Sequence, residues 1–192
     1  MSDPVTVLDY WLGELGPDGW YAGGDDLDAE IRSRFGDLWQ AAAEGGLDHW
    51  IDGPGGVLAF IVLTDQFPRN MWRGTARAFA TDAMALAAAR RAIAEGWDMA
   101  APEPERQFFY LPLMHSEALA DQEDCIGLMV ERMPETGASN TLHARAHAEV
   151  IRRFGRFPYR NAALGREATA DEAEFMARGG YAAVVDALKA TS

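Results

Sequence analysis

Two stretches of this 192-residue chain combine residues that could bind or transfer charge. "DQFPRNMWRG", Asp65 to Gly74, is echoed by "RFPYRNAALGR", Arg156 to Arg166. Each joins Phe-Pro to an Arg-Asn pair and a second Arg. Arg presents a planar fork of donors suited to two-pronged binding of carboxylate or phosphate. If the two stretches met, Arg69, Arg73, Arg156, Arg160 and Arg166 would form a cationic pocket for an anion. On the alternative, each Arg pairs with a nearby acid such as Asp65, Asp82, Glu149 or Glu167 and braces a turn. The spacing from Phe to the first Arg differs by one residue, Phe67 to Arg69 against Phe157 to Arg160, so the two Args need not point alike.

The four histidines are the next candidates: His49, His115, His143 and His147. His143 and His147 stand four apart, so one helix face carries both, beside Val150, Ile151 and Phe154. That is the apolar side, where an imidazole needs partners for both nitrogens. His115, Glu117, His143 and His147 are ligand types for zinc, iron or manganese. The spacing lacks the internal Glu of a metalloprotease helix and the Glu-x-x-His pairs of di-iron bundles, so no metal and no other cofactor is assigned. His115 and Ser116 with an acid suggest nucleophilic catalysis, but no G-x-S-x-G elbow accompanies them. No Gly-rich phosphate loop occurs, and "DGPGGVL" reads as a helix breaker. Cys125 lies among Ile126 and Met129 and reads as core. Trp72, between Asn70 and Arg73, could line a pocket wall.

The elements that hold these residues read as helices. Ser2-Asp3-Pro4 starts one, followed by Val5, Leu8, Trp11 and Leu12 at helical spacing. Residues 13–24 read as a loop. Asp25 or Asp26 caps a helix whose face is Leu27, Ile31, Phe35, Leu38 and Ala42, closed by Gly45-Gly46. "VLAFIVLTDQF" is a buried helix that Pro68 stops. Near Thr81 an Ala-rich helix begins, ending at Gly96. Residues 101–133 hold two helices that Pro112 separates or kinks. Ser139 or Asn140 caps the helix of His143 and His147, and Gly155 closes it. Thr169 with Glu172 makes a capping box. A last helix runs from about Tyr181 to Lys189. The expectation is an all-α chain of about eight helices in antiparallel pairs. It forms one domain, 1–192, with two similar halves centred on 57–82 and 140–169.

Composition narrows the partners. The formal charge is −13. That field repels nucleic acid and anionic lipid in general. Of 17 basic residues only Lys189 is a lysine. The single cysteine excludes an intramolecular disulfide and fits a reducing compartment. No signal peptide is seen, and the longest apolar run, "GGVLAFIVL", is too short to span a bilayer, so the chain reads as cytoplasmic.

Four blocks, "VLDYWLGE" (7–14), "LAFIVLTDQFPRNMWRGTARAFATD" (58–82), "RQFFYLPLMHSEALADQ" (106–122) and "HAEVIRRFGRFPYRNAALGR" (147–166), resemble the bacterial family known as domain of unknown function 924. The resemblance runs to about Glu172, and the stretch after Met176 departs from it. It implies a tetratricopeptide-like, right-handed all-α stack and carries no biochemical activity. It implies as motif positions Asp65, Gln66, Arg69, Asn70 and Arg73; His115, Ser116 and Glu117; and His147, Arg156, Arg160, Asn161 and Arg166. His143 lies outside the motif. The leading expectation is a binding domain for an anionic small molecule or an acidic peptide, with these motif residues as its site. One alternative is a hydrolase-like enzyme using His115 or His147 as general acid/base with Glu117 beside them, with or without a metal. Another is a protein–protein scaffold whose Args are structural.

Overall fold

The protein was analysed as a computed structural model, which describes residues 3–191. No strand occurs among the described residues. The chain divides into two compact units, residues 1–112 and 113–192, and one copy of the Phe-Pro, Arg-Asn motif falls in each.

In the first unit, α1 (Pro4–Leu8) starts as expected: Asp3 accepts the Val5 N–H at 2.9 Å and Pro4 opens the first turn. Ser2 lies outside the described residues. The loop expected at 13–24 is helical as far as Gly19. A wide i→i+5 segment, Asp9–Leu15, follows α1 and leads into α2 (Gly16–Gly19). Aromatic burial accounts for this. Tyr10 and Trp11 pack on Phe35, Phe67 and Phe108, and their area outweighs the weak helix preference of Gly13 and Gly16.

The next helix, α3 (Asp25–Ala43), begins behind Gly24 with no side-chain cap. Asp25, Asp26 and Asp28 instead complement the positive end of the helix dipole. Its buried face is Ile31, Phe35, Trp39 and Ala42, with Leu27 and Leu38 only half-buried.

Pro68 does not stop the helix before it. α4 (Pro54–Ile61) passes through a wide segment, Val62–Gln66, into α5 (Phe67–Met71), so Pro68 sits inside a continuous run. Widening carries the Phe67 N–H to the Val62 carbonyl. The Thr64 carbonyl, which a residue with an N–H at 68 would engage in an ordinary turn, accepts the Thr81 hydroxyl at 2.6 Å. Thr81 in turn accepts the Trp39 indole N–H at 3.1 Å. Residues 57–68 are all buried, as expected of a helix apolar on every side. α6 (Asp82–Ala94) packs on α4 through Ala85, Ala88, Ala89 and Ala92, whose small side chains permit close approach. Trp11, Trp20, Trp39 and Trp50 are all buried in this unit.

A short helix, α7 (Leu111–Met114), follows a turn at Glu105–Phe109, so Pro112 lies at the start of a helix and separates the elements. In the second unit α8 (Leu119–Arg132) and α9 (Ala138–Phe154) pack on each other across a five-residue connection, an antiparallel pair. α9 begins behind Gly137, not at a Ser139 or Asn140 cap. A Cβ on Gly137 would lie 2.5 Å from the Met133 carbonyl oxygen, so close packing selects Gly there. Gly155 closes α9 in the left-handed conformation, φ +67°, which favours glycine. The Thr169–Glu172 capping box opens α10 (Ala170–Ala177), and α11 (Gly180–Ala190) packs on α9. Val150, Ile151, Phe157 and Phe175 form the core of this unit.

Candidate functional site

In the first unit the motif residues stand on α5, on the wide turn before it and, for Arg73, on the turn that follows it. Phe67 is fully buried and anchors the segment. Asp65 is also fully buried. Its carboxylate accepts from the Gln66 side-chain amide, and its backbone carbonyl accepts from Arg69. The Arg69 guanidinium grips Asp82 with two parallel hydrogen bonds, 3.0 and 3.1 Å. Arg73 grips Asp28 in the same way, at 2.8 and 2.9 Å. Asn70 adds a third donor to Asp28 at 3.0 Å. The Arg73 hydrogen bonds outweigh the opposing effect of burial and hold the Asp28 carboxyl below its ordinary value. Trp72 packs against two cations. The Arg77 and Arg32 guanidinium carbons are 3.9 and 4.9 Å from its ring centre.

In the second unit the motif follows Gly155. Phe157 is fully buried, and Pro158 opens a single tight turn to Arg160. Arg156 grips Glu172 at 2.6 and 2.8 Å and also donates to the Glu167 carbonyl. Asn161 donates to the same Glu172 carboxylate at 3.3 Å. Arg156 and the Thr169 backbone N–H bring the Glu172 carboxyl down to about 2. Arg166 grips Glu117 at 2.7 and 3.0 Å and donates to the Phe157 carbonyl and the Asn161 side-chain oxygen. Glu117 also accepts the Phe157 N–H at 2.8 Å. Burial raises the Glu117 carboxyl, but Arg166 and the Phe157 N–H outweigh it and the net shift is downward. Arg160 is buried, its guanidinium carbon 4.5 Å from the Phe157 ring centre.

The histidine face of α9 is ordered by Tyr181 of α11. The His147 Nδ1 donates to the His143 carbonyl at 2.9 Å, which leaves Nε2 as the acceptor. Burial, then the nearby His115 and Arg160 charges, bring His147 down to about 3. His147 therefore stays neutral at every physiological pH. The Tyr181 hydroxyl and the His143 Nδ1 share a hydrogen bond at 2.6 Å, and burial raises the Tyr181 phenol above its ordinary value. The rings of His147, Tyr181, Phe157 and Tyr159 pack in one cluster. The Ser116 hydroxyl donates to Asp121 at 2.6 Å rather than to a histidine. No group of three His, Cys, Asp or Glu suited to a metal ion occurs among the described residues. Cys125 is core, as expected, its thiol pushed up to about 12 by burial.

Residues 7–180 match a family model described as bacterial protein of unknown function (DUF924). The chain belongs to this family. As a DUF924 member it is also similar to a solved structure, that of protein of unknown function ATU0120 from Agrobacterium tumefaciens. The two are 40% identical, the match covers 90% of this chain and 96% of that one, and the TM-score is 0.83. No curated protein matches. No helix among the described residues is long and apolar enough to cross a membrane.

Of the acids expected beside the motif of this DUF924 chain, Asp82 is a two-pronged partner of Arg69, and Asp65 forms a longer ion pair with the same Arg at 3.5 Å. Glu149 pairs with Arg152, and Glu167 contributes only its backbone carbonyl. Asp28 and Glu172 were not among the expected partners, and Glu117 was expected as a ligand or catalytic group. Tyr181 and Thr81 were likewise unmarked. The one available signal was the capping box, which fixes Glu172 at the first turn of α10.

Proposed function

We propose that this DUF924 protein is a helical binding domain for an anionic small molecule or an acidic peptide. Its motif residues build and stiffen the binding surface from beneath. The observation that carries this reading is the set of two-pronged grips: Arg69 on Asp82, Arg73 on Asp28, Arg156 on Glu172 and Arg166 on Glu117. Such a grip satisfies both carboxylate oxygens and aligns the guanidinium plane. It leaves each of these four Args committed to the fold. Asp65, Gln66, Asn70, Ser116, His147, Arg160 and Asn161 share that supporting role, fixing the turns and the α9 face. A catalytic reading draws less support, because Ser116 bonds Asp121 and His147, lowered to about 3, is too weak a base to hold a proton at neutral pH.

Binding and stability, measured together on Arg73→Ala and Arg166→Ala, separate the roles. The probes are a panel of labelled Asp/Glu-rich peptides and small dicarboxylates. A supporting role predicts lower melting temperatures with probe affinity changed less than about threefold. Loss of probe binding at unchanged melting temperature would place the Args at the ligand instead. A panel with no binder at all would remove acidic peptides and dicarboxylates as the domain's ligands.

A further inference from the structure

Outside the motif, the second unit carries an open groove of about 520 Å³ where the end of α8, the start of α9 and the last turn of α11 converge. Met129 and Met133 form its floor and are almost fully buried. Leu142 and Leu188 line its sides, and Val130, 56% exposed, stands at its edge. Two cations line it, Arg145 and Lys189, and no acid does. Both are exposed. Neither forms an ion pair among the described residues, in contrast to the four committed motif Args. Lys189 is the only lysine in a chain of formal charge −13. Its charge reaches inward, adding to the burial that lowers His143 on α9.

Small-ligand sites are concave, mostly apolar and of roughly 300–1,000 Å³, with a few placed polar groups that fix orientation. The groove meets each of these conditions. Methionine floors adapt to flexible apolar chains. An Arg fork with a Lys point charge suits one carboxylate head. We propose that this groove binds an amphipathic monocarboxylate, its acid on Arg145 and Lys189 and its apolar body along Met129, Met133 and Leu142. This rests on the binding-domain reading and adds the ligand class and the place.

The test is calorimetric titration of the full chain with dodecanoate, dodecanol and dodecylamine. Dodecanoate is expected to bind, dodecanol at least about fivefold more weakly, and dodecylamine more weakly still. Exposed charge contacts are each worth a few-fold, so R145E/K189E should weaken dodecanoate by about tenfold or more. That variant should reverse the preference toward dodecylamine at an unchanged melting temperature. Val130→Asp, at an exposed position, should weaken all three. Equal affinity of wild type and R145E/K189E for dodecanoate would overturn the proposal, as would equal affinity of wild type for dodecanoate and dodecylamine. If dodecanoate fails while the peptide or dicarboxylate panel binds, the groove assignment falls and the binding-domain reading stands. If both fail, both fall.

Discussion

The copy of the motif at 65–74 and the copy at 156–166 reach one chemical arrangement on different backbones. In the first, Phe67, Pro68, Arg69 and Asn70 are helical, and a wide turn before them absorbs the proline. In the second, Gly155 has already ended a helix, Phe157 is extended, and Pro158 opens a single turn. Each copy nevertheless buries its Phe completely and sets an Asn and an Arg on one carboxylate. Asn70 and Arg73 share Asp28; Asn161 and Arg156 share Glu172. The Arg lies three residues after the Asn in one copy and five before it in the other. A short string thus fixes the chemistry of an anchor and its grip, while the surrounding helices fix the path of the chain.

The sharpest way to break this comparison is to remove the anchors. Phe67→Ala and Phe157→Ala should each cost about 3–5 kcal/mol of unfolding free energy by denaturant titration. A large inequality would mean the two Phe residues are not equivalent. Next comes Glu117→Gln. Its carboxylate and Arg166 are 29% and 22% exposed, so the loss should fall below the 3–5 kcal/mol of a fully buried pair, at about 2 kcal/mol.

Acid titration distinguishes the copies by a histidine that only the second one has beside it. His147 is held at about 3 in the folded chain by burial and its cationic neighbours, against about 6.5 when unfolded. The folded state therefore binds fewer protons as the pH falls below about 6.5. The associated stability is complete above that pH and is lost on descending toward 3, by at most about 1.4 kcal/mol per pH unit. His147→Phe should flatten that slope between about pH 6.5 and 4.5. Below this window the depressed carboxyls Asp28, Glu117 and Glu172 add losses of the same sign.

The smallest expected effect concerns the proline of the first copy. Thr81→Val strips the donor from the Thr64 carbonyl and the acceptor from the Trp39 indole N–H, and should cost about 1 kcal/mol for each bond. In a Pro68→Ala background, where a backbone N–H returns, the cost should shrink. Equal costs in both backgrounds would show that the Thr81 hydroxyl is not substituting for the missing amide.

Local signals predicted the fold well. Asp3-Pro4, Thr169 with Glu172, Gly96 and Gly155 mark helix ends through contacts within a few residues, and the structure has ends at each. The misreadings have tertiary causes. Burial of Tyr10 and Trp11 carries helix through the Gly-rich stretch after residue 12. Thr81, 17 residues from Thr64, makes Pro68 tolerable, and the Met133 backbone against Gly137 displaces the start of α9. The motif was legible as residue types, but of its two-pronged pairs only Arg69 with Asp82 lay near enough in sequence to be expected. Arg73 meets Asp28 across 45 positions and Arg166 meets Glu117 across 49. No periodicity reports on that distance.

The tryptophans noted in the first unit have an optical consequence. All six, from Trp11 to Trp97, fall within residues 1–112, and none falls in 113–192. Indole emission therefore monitors one half of the molecule, while far-ultraviolet circular dichroism sums helices from both. An emission curve and a dichroism curve that superimpose during unfolding would show the halves melting as one cooperative body. Curves that separate would time them individually, with no dye attached.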